Sequence, residues 1–184
     1  MQWNLDTTHS IAEFAVKHLM ISTVKGRFKT VTGTAETNED GTLKSASVTI
    51  DVASIDTNVQ QRDDHLRRAD FFDVASFPSM TFTSTKIVQT GEAIAITGDF
   101  TIRGVTKPLT LTGEISGVMT DPWGLSRSAI NVSAKLKRSE WGMTWNTALE
   151  TGGFVVGDEV KIQLEAEAVA VAATVPAEEV AAAV

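Results

Sequence analysis

The feature that most constrains the fold is an alternation of apolar and polar residues with a period of two, which recurs along most of the chain. In residues 94–102, for example, Ile94, Ile96 and Phe100 alternate with Thr97 and Thr101. This period places successive side chains on opposite faces of a β-strand, so one face is buried and the other exposed. The same alternation occurs in residues 12–20, 48–52, 80–83, 109–115 and 160–165. Short turn-rich segments separate these runs, which predicts antiparallel neighbours.

The number and length of these segments favour an all-β fold built as a closed antiparallel β-barrel of about eight strands. Closure removes the unpaired edges that an open sheet would expose. A β-sandwich is the main alternative, but residues 94–102, 109–118 and 158–168 are long for one. Residues 24–37 and 125–138 are strand-like with less regular patterning, which predicts bends or bulges. We expect a single barrel domain over residues 1–170 and an Ala/Val-rich C-terminal tail over residues 171–184.

One segment interrupts the strand pattern and predicts a short helix, at about residues 57–73, near one end of the barrel. Thr57 or Asn58 is a suitable capping residue. On the outer face, Asp63 with Arg67 and Asp64 with Arg68 have the i,i+4 spacing of ion pairs. The opposite stripe, which would face the barrel opening, comprises Arg62, His65, Leu66, Ala69 and Phe72.

Composition excludes several classes of partner. The 184-residue chain has no cysteine and a formal net charge of −7, which disfavours nucleic acid and anionic membrane surfaces. No apolar run reaches the roughly 18 residues that a transmembrane helix requires. The first residues lack the basic and apolar regions of a secretory signal. We therefore expect a cytoplasmic protein, or a periplasmic one if a leader has been removed.

Motifs of common enzymes are missing from the sequence. It contains no Gly-x-Ser-x-Gly elbow, no phosphate-binding Gly-rich loop and no His-Glu-x-x-His. His9, His18 and His65 are far apart in sequence and never form a His-x-His pair. Asp63 and Asp64 point about 100° apart on a helix, so they cannot act together as acid and base. We expect no catalytic residue, no metal and no cofactor.

Strand parity identifies the side chains that should face the barrel interior. These residues are Phe14, Val16, Phe28, Val48, Ile50, Phe82, Phe100, Ile102 and Leu111. An interior lined by apolar groups that leaves free space is what a lipid site needs. Tight packing of the same side chains would instead give a structural or adaptor barrel with a filled core. The pattern leaves both alternatives open.

A series of short motifs, in a specific order and spacing, resembles the YceI-like family, the lipocalin-like polyisoprenoid-binding proteins. The motifs are Asp6–Ser10, Phe14–His18, Val24–Phe28, Ser54–Thr57, Arg62–Arg67, Asp70–Asp73, Phe77–Pro78, Phe82–Ser84, Gly98–Pro108 and Arg138–Met143. The resemblance runs from Trp3 to about Glu167. The chain differs from the family's usual pattern in Lys137, where Asn is common, and in its Ala-rich tail and missing signal.

This resemblance implies an extended lipocalin-like barrel that binds a long isoprenoid or related amphiphile, such as a quinone, a prenyl phosphate, or a fatty acid or amide. The protein would act as a carrier, a store or a sequestering protein, and many relatives are linked to stress responses or to quinone-dependent proteins. An enzyme or accessory factor of isoprenoid metabolism is the alternative, and a homodimer remains open. Helix geometry and position within the motifs predict a polar mouth for the ligand head, formed by His18, Arg62, His65 and Arg138.

Overall fold

The computed structural model describes residues 1–150 and 152–171 and consists of twelve strands, one α-helix and two short 3₁₀ turns. The strands are β1 (Gln2–Leu5), β2 (Ile11–His18), β3 (Ser22–Phe28), β4 (Val31–Thr37), β5 (Leu43–Asp51), β6 (Ile55–Asp56), β7 (Ser79–Thr90), β8 (Ala93–Ile102), β9 (Val105–Ile115), β10 (Met119–Thr120), β11 (Ser126–Lys137) and β12 (Val156–Ala170). The helix α1 comprises Gln60–Leu66, and the 3₁₀ turns comprise Val52–Ser54 and Arg138–Trp141.

These strands form one closed antiparallel barrel. Strands β1 and β2 act as one stave because β12 pairs with both of them. The same holds for β3 with β4, which pair with β2 and β1, for β5 with β6, which pair with β4 and β3, and for β9 with β10, which both pair with β11. The ring closes where β11 pairs with β12, from Arg127 opposite Val169 to Lys137 opposite Glu159. The eight staves follow each other in chain order, so the prediction of a closed barrel of about eight strands is confirmed.

The break between β3 and β4 explains the irregular patterning of residues 24–37. The strand bends at Lys29 and Thr30, whose backbone N–H groups bond to the Ser54 carbonyl and the Ser54 hydroxyl. Residues 125–138, also predicted to be irregular, instead form the single long strand β11. Its mixed pattern arises because β11 pairs with β9 on one side and with β12 along its whole length on the other.

The helix is shorter than predicted, Gln60–Leu66 instead of residues 57–73, and its cap is different. Val59 is the N-cap residue and makes no side-chain cap bond. After Leu66 the chain turns back, and the N–H of Phe72 bonds to the Leu66 carbonyl at 3.0 Å. A continuous helix would point Phe71 and Phe72 about 100° apart, whereas the turn directs both side chains to the barrel interior.

The predicted ion pairs on the helix were also wrong. Asp63 is buried, and its Oδ1 accepts hydrogen bonds from the Thr57 N–H at 2.9 Å and the Thr57 hydroxyl. Arg67 pairs with Asp64, at 3.0 Å and i,i+3 spacing. The carboxylate of Asp63 therefore fixes the segment that precedes the helix instead of facing solvent.

The connections define two ends of the barrel. The helix end carries α1 and the connections at residues 19–21, 103–104 and 138–155, whereas the hairpin end carries residues 38–42, 91–92 and 116–125. Val171 ends the described chain at the hairpin end, where its N–H bonds to the Gln2 carbonyl at 2.8 Å. Nearly all of the predicted tail, residues 172–184, lies outside the described residues. Within the described ranges, no helix has the length and apolar character needed to cross a bilayer.

Candidate functional site

The barrel interior contains a first chamber, toward the helix end, with a volume of about 150 Å³. All nine side chains that strand parity assigned to the interior lie on its wall: Phe14, Val16, Phe28, Val48, Ile50, Phe82, Phe100, Ile102 and Leu111. Leu66, Met80, Leu109, Leu136, Met143, Val160 and Ile162 also line it. Among the residues that the structure describes, Glu13, Arg138 and Gln163 are the ones that add charged or polar groups to this wall. An apolar cavity of about 150 Å³ stays dry and accepts apolar guests.

A second chamber of about 320 Å³ lies toward the hairpin end. Its apolar wall includes Trp3, Leu5, Leu43, Ile96, Val132, Ala166 and Ala168. No sequence pattern predicted this chamber, although Ile96 and Ala166 occupy inward positions of β8 and β12. Parity carried the necessary signal, but whether inward side chains touch each other or leave space depends on barrel diameter, which no local pattern encodes.

A ring of four side chains lines both chambers and lies between them: Val48, Phe82, Leu111 and Leu164. We call this ring the waist. Val48 and Phe82 are cross-strand partners on β5 and β7. A Cβ at Gly98 would lie 2.5 Å from the ring of Phe82, so glycine on β8 makes room for this aromatic ring at the waist. The waist is apolar, so hydrocarbon can occupy both chambers without meeting a polar barrier.

Aromatic side chains cover the first chamber at the helix end. Phe71 and Phe72 line the chamber, and the ring of Phe72 packs edge-on against Phe28 with centroids 5.7 Å apart. The ring of Trp145 packs against both Phe71 and His65, with centroid distances of 5.2 Å to Phe71 and 5.0 Å to His65. The turn after α1 therefore acts as an apolar cover.

Arg138 is the one predicted mouth residue that reaches a chamber wall, but its guanidinium is fully engaged with the backbone. It donates to the carbonyl oxygens of Gly157 (2.9 Å), Met143 (2.6 Å), Trp145 (3.0 Å) and Val156 (3.4 Å). Burial lowers the pKa of this guanidinium from its usual value, while the nearby Asp158 carboxylate opposes the change. Arg138 thus ties the connection between β11 and β12 together.

The other three predicted mouth residues do not line either chamber and are not brought together around an opening. His18 ends β2, opposite Ser22 and Val156. Arg62 donates to the hydroxyl of Thr57 at 2.7 Å and to its carbonyl oxygen at 2.8 Å. His65 lies 3.3 Å from an Asp70 carboxylate oxygen. Arg62 and His65, the polar residues on the apolar stripe of the helix, therefore bond to neighbouring protein groups.

A charged cluster lies outside the cavity, where β1 bends into β2. Arg127 pairs with the carboxylates of Asp121 (2.7 Å), Asp6 (3.0 Å) and Glu167. Hydrogen bonds from Thr8, His9 and Arg127 hold the pKa of Asp6 well below its usual range, and these carboxylates raise the pKa of Arg127. Asp6, His9 and Glu167 have the spacing to surround a cation, with ligand atoms within 4.8 Å of one another. Because Arg127 already supplies that charge, we interpret the cluster as a structural ion-pair network.

The fold and its interior define an antiparallel barrel protein with an elongated apolar cavity. The chain matches the profile of the YceI-like domain over residues 3–168, and it belongs to that family. Protein YceI of Salmonella newport is 40% identical over 137 residues, which are 74% of this chain and 72% of that protein.

Two solved structures share the fold. BcnA of Burkholderia cenocepacia has a TM-score of 0.74 and 25% identity over 89% of this chain and 98% of that chain. A polyisoprenoid binding domain from Saccharophagus degradans, implicated in plant cell wall breakdown, has a TM-score of 0.65 and 17% identity over 92% and 98% of the two chains. At that identity the second likeness concerns the fold alone.

Proposed function

We propose that this protein binds a long isoprenoid chain, or a related amphiphilic lipid, inside the barrel and acts as its carrier or store without transforming it. The observation that carries the proposal is the pair of apolar chambers joined at the waist. Burial of hydrocarbon contributes about 0.8 kcal/mol per CH₂, so one five-carbon isoprene unit contributes about 4 kcal/mol at most. Several units would therefore offset an association cost of roughly 4–15 kcal/mol.

The shape of the cavity favours a chain over a compact ligand. The waist lies between a smaller and a larger chamber, and the four side chains that form it are apolar. A flexible chain can pass such a constriction, whereas a rigid polycyclic molecule would be confined to one chamber. The polyisoprenoid-binding description of a protein with the same fold supports this choice of ligand class.

Two alternatives fit the interior less well. A structural barrel with a filled core would leave no free volume, yet the two chambers have volumes of about 150 and 320 Å³. An enzyme would need reactive groups at the ligand. Within residues 1–150 and 152–171, the charged groups on the first chamber are Glu13, which is exposed, and Arg138, which is bound to carbonyl oxygens.

The proposal is tested by extracting the purified protein with organic solvent and identifying the released molecules by mass spectrometry. We expect a long-chain isoprenoid or related lipid in near one-to-one ratio with the protein. The extracted protein should then bind geranylgeraniol in a fluorescence displacement assay. An extract without apolar molecules, together with no binding of geranylgeraniol, would contradict the proposal.

A pair of variants connects binding to the chamber. Phe100→Arg places a charge on the wall of the first chamber, where Phe100 packs 6.5 Å from Phe82 between ring centroids. We expect it to abolish binding. Val88→Arg places the same charge on an exposed position of β7 and should leave the affinity unchanged. Thermal melts establish that both variants are folded, and equal loss in both would refute the assignment of the site.

A further inference from the structure

The second chamber borders the solvent-exposed connections of the hairpin end. The wall of the second chamber includes six residues of the connections that are themselves exposed: Gly41, Gly91, Glu92, Ser116, Gly117 and Val118. In contrast, Leu66, Phe71, Phe72 and Met143 cover the first chamber, where Glu13 is the only exposed lining residue among those described. A ligand that fills both chambers therefore has its outer end between the hairpins.

Polar groups at the helix end are already occupied. The guanidinium of Arg138 donates to four carbonyl oxygens, and that of Arg62 donates to Thr57. A head group placed there would have to break these bonds or remain without partners in an apolar chamber. Burial of a polar group without a partner costs several kcal/mol by transfer to hydrocarbon.

The hairpin end has the opposite electrostatic character from that expected of an anion site. Glu92 lines the second chamber, and no Lys or Arg lines it within the described part of the chain. At this end of the barrel, Lys44 pairs with Glu36 at 3.1 Å, Arg127 pairs with three acidic side chains, and the Met1 ammonium donates to the Thr37 carbonyl oxygen at 2.9 Å. An anionic head would face the Glu92 carboxylate with no Lys or Arg among the described wall residues as its counter-ion.

Hydrogen-bonding groups for an uncharged head are present at this opening. Gln89 lines the second chamber, and its amide oxygen accepts a hydrogen bond from the Leu43 N–H at 2.9 Å. Its amide nitrogen donates to the Gly91 carbonyl oxygen at 3.3 Å. Glu92 also lines this chamber, as do Ser116 and Ser128, whose hydroxyls donate to the Gly117 carbonyl oxygen at 3.1 Å and to the Ser116 carbonyl oxygen at 3.0 Å. A carboxylate accepts a hydrogen bond from an alcohol, and a serine hydroxyl that rotates away from its present acceptor can donate to a carbonyl oxygen of the ligand.

We infer that the hairpin opening holds the polar head of the ligand and admits uncharged heads, such as an alcohol or a quinone, while it excludes phosphate and carboxylate heads. This inference rests on the proposed function and specifies the ligand class and orientation for the same cavity. Glu92 is its specificity-determining residue. The apolar tail then extends through the waist to the covered helix end.

The test compares two probes with the same chain, geranylgeraniol and geranylgeranyl diphosphate, by displacement of a fluorescent lipid at about 0.15 M salt. We expect the wild-type protein to bind the alcohol at least 30-fold more tightly. Glu92→Lys should reduce this preference by about tenfold, which corresponds to about 1.4 kcal/mol. Glu140→Lys makes the same charge change at an exposed position of the helix end, beyond screening range, and should leave the preference unchanged.

The outcomes separate the inference from the function on which it rests. If the protein binds neither probe, both the inference and the proposed function are refuted. Equal or tighter binding of the diphosphate, or a preference unchanged by Glu92→Lys, overturns the inference and leaves the carrier function intact. A geranylgeranyl ether of benzophenone provides an independent readout. Its photo-adducts should map to residues 41, 89–92 and 116–118, and adducts at residues 62–72 would overturn the orientation.

Discussion

Obstructing the waist should shorten the chain that the protein can hold. Val48 lines both chambers and is the cross-strand partner of Phe82 on the adjacent strand β7. Val48→Phe therefore adds an aromatic ring at the waist. In the wild-type protein, each additional five-carbon isoprene unit should improve the binding free energy by about 1.5 kcal/mol if each carbon atom contributes about 0.3 kcal/mol. The upper bound, from complete burial of the hydrocarbon, is about 4 kcal/mol per unit. The lower figure is about tenfold in affinity per unit.

The assay compares geraniol, with two isoprene units, and geranylgeraniol, with four. The wild-type protein should bind the longer alcohol at least about 100-fold more tightly. In Val48→Phe the two additional units cannot pass the waist, so the ratio should fall to about threefold or less. Val88→Phe adds the same ring at an exposed position of β7 and should retain the wild-type ratio.

Overpacking at this position costs about 1–3 kcal/mol of stability, which thermal melts will record separately from affinity. If Val48→Phe is poorly folded, Leu111→Phe obstructs the same waist from β9. A folded variant that still binds geranylgeraniol about 100-fold more tightly than geraniol would refute the idea that one chain occupies both chambers.

Three further predictions concern the scaffold. Arg138→Met should lower the free energy of unfolding by about 3 kcal/mol in urea melts, because backbone carbonyls that it satisfies lose their donor; a loss below about 1 kcal/mol would contradict this role. Gly113→Ala should destabilise by about 3 kcal/mol or more, since its Cβ would lie 2.0 Å from the Asn131 carbonyl oxygen, and wild-type stability would show that β9 and β11 are further apart. The hydrogen bond from the Asn58 N–H, aided by Lys29 and Arg27, lowers the pKa of Asp56 from 3.8 to about 2, so the stabilisation from this carboxylate is complete above about pH 4 and is lost as the pH falls toward 2. Asp56→Asn should therefore flatten the acid unfolding profile in that window, and an unaltered profile would disprove this.

The sequence predicts the barrel well because a closed antiparallel sheet imposes the same local period on every strand. The alternation of Ile94, Ile96 and Phe100 on β8 is sufficient to assign their side chains to the interior. Closure itself was also predictable, because it removes strand edges. The part of the first chamber's wall that the strands contribute follows directly from these two rules.

The errors have a different physical origin. The helix ends at Leu66 and not near Asp73, because tertiary contacts of Phe71 and Phe72 outweigh local helix propensity. The polar mouth assigned to Arg62 and Arg138 stays a prediction, and in the structure each of these side chains donates to groups that become buried when the barrel closes. The exposed hairpin opening is likewise a property of how separate connections meet in space.

The most direct test of the central claim is a crystal structure of the protein saturated with geranylgeraniol. We predict continuous density for one chain that passes between Val48 and Leu111 and occupies both chambers, with the hydroxyl near Glu92. Chambers occupied by rearranged side chains, or a ligand bound only to the outer surface, would contradict the claim that the interior of the barrel is a binding site.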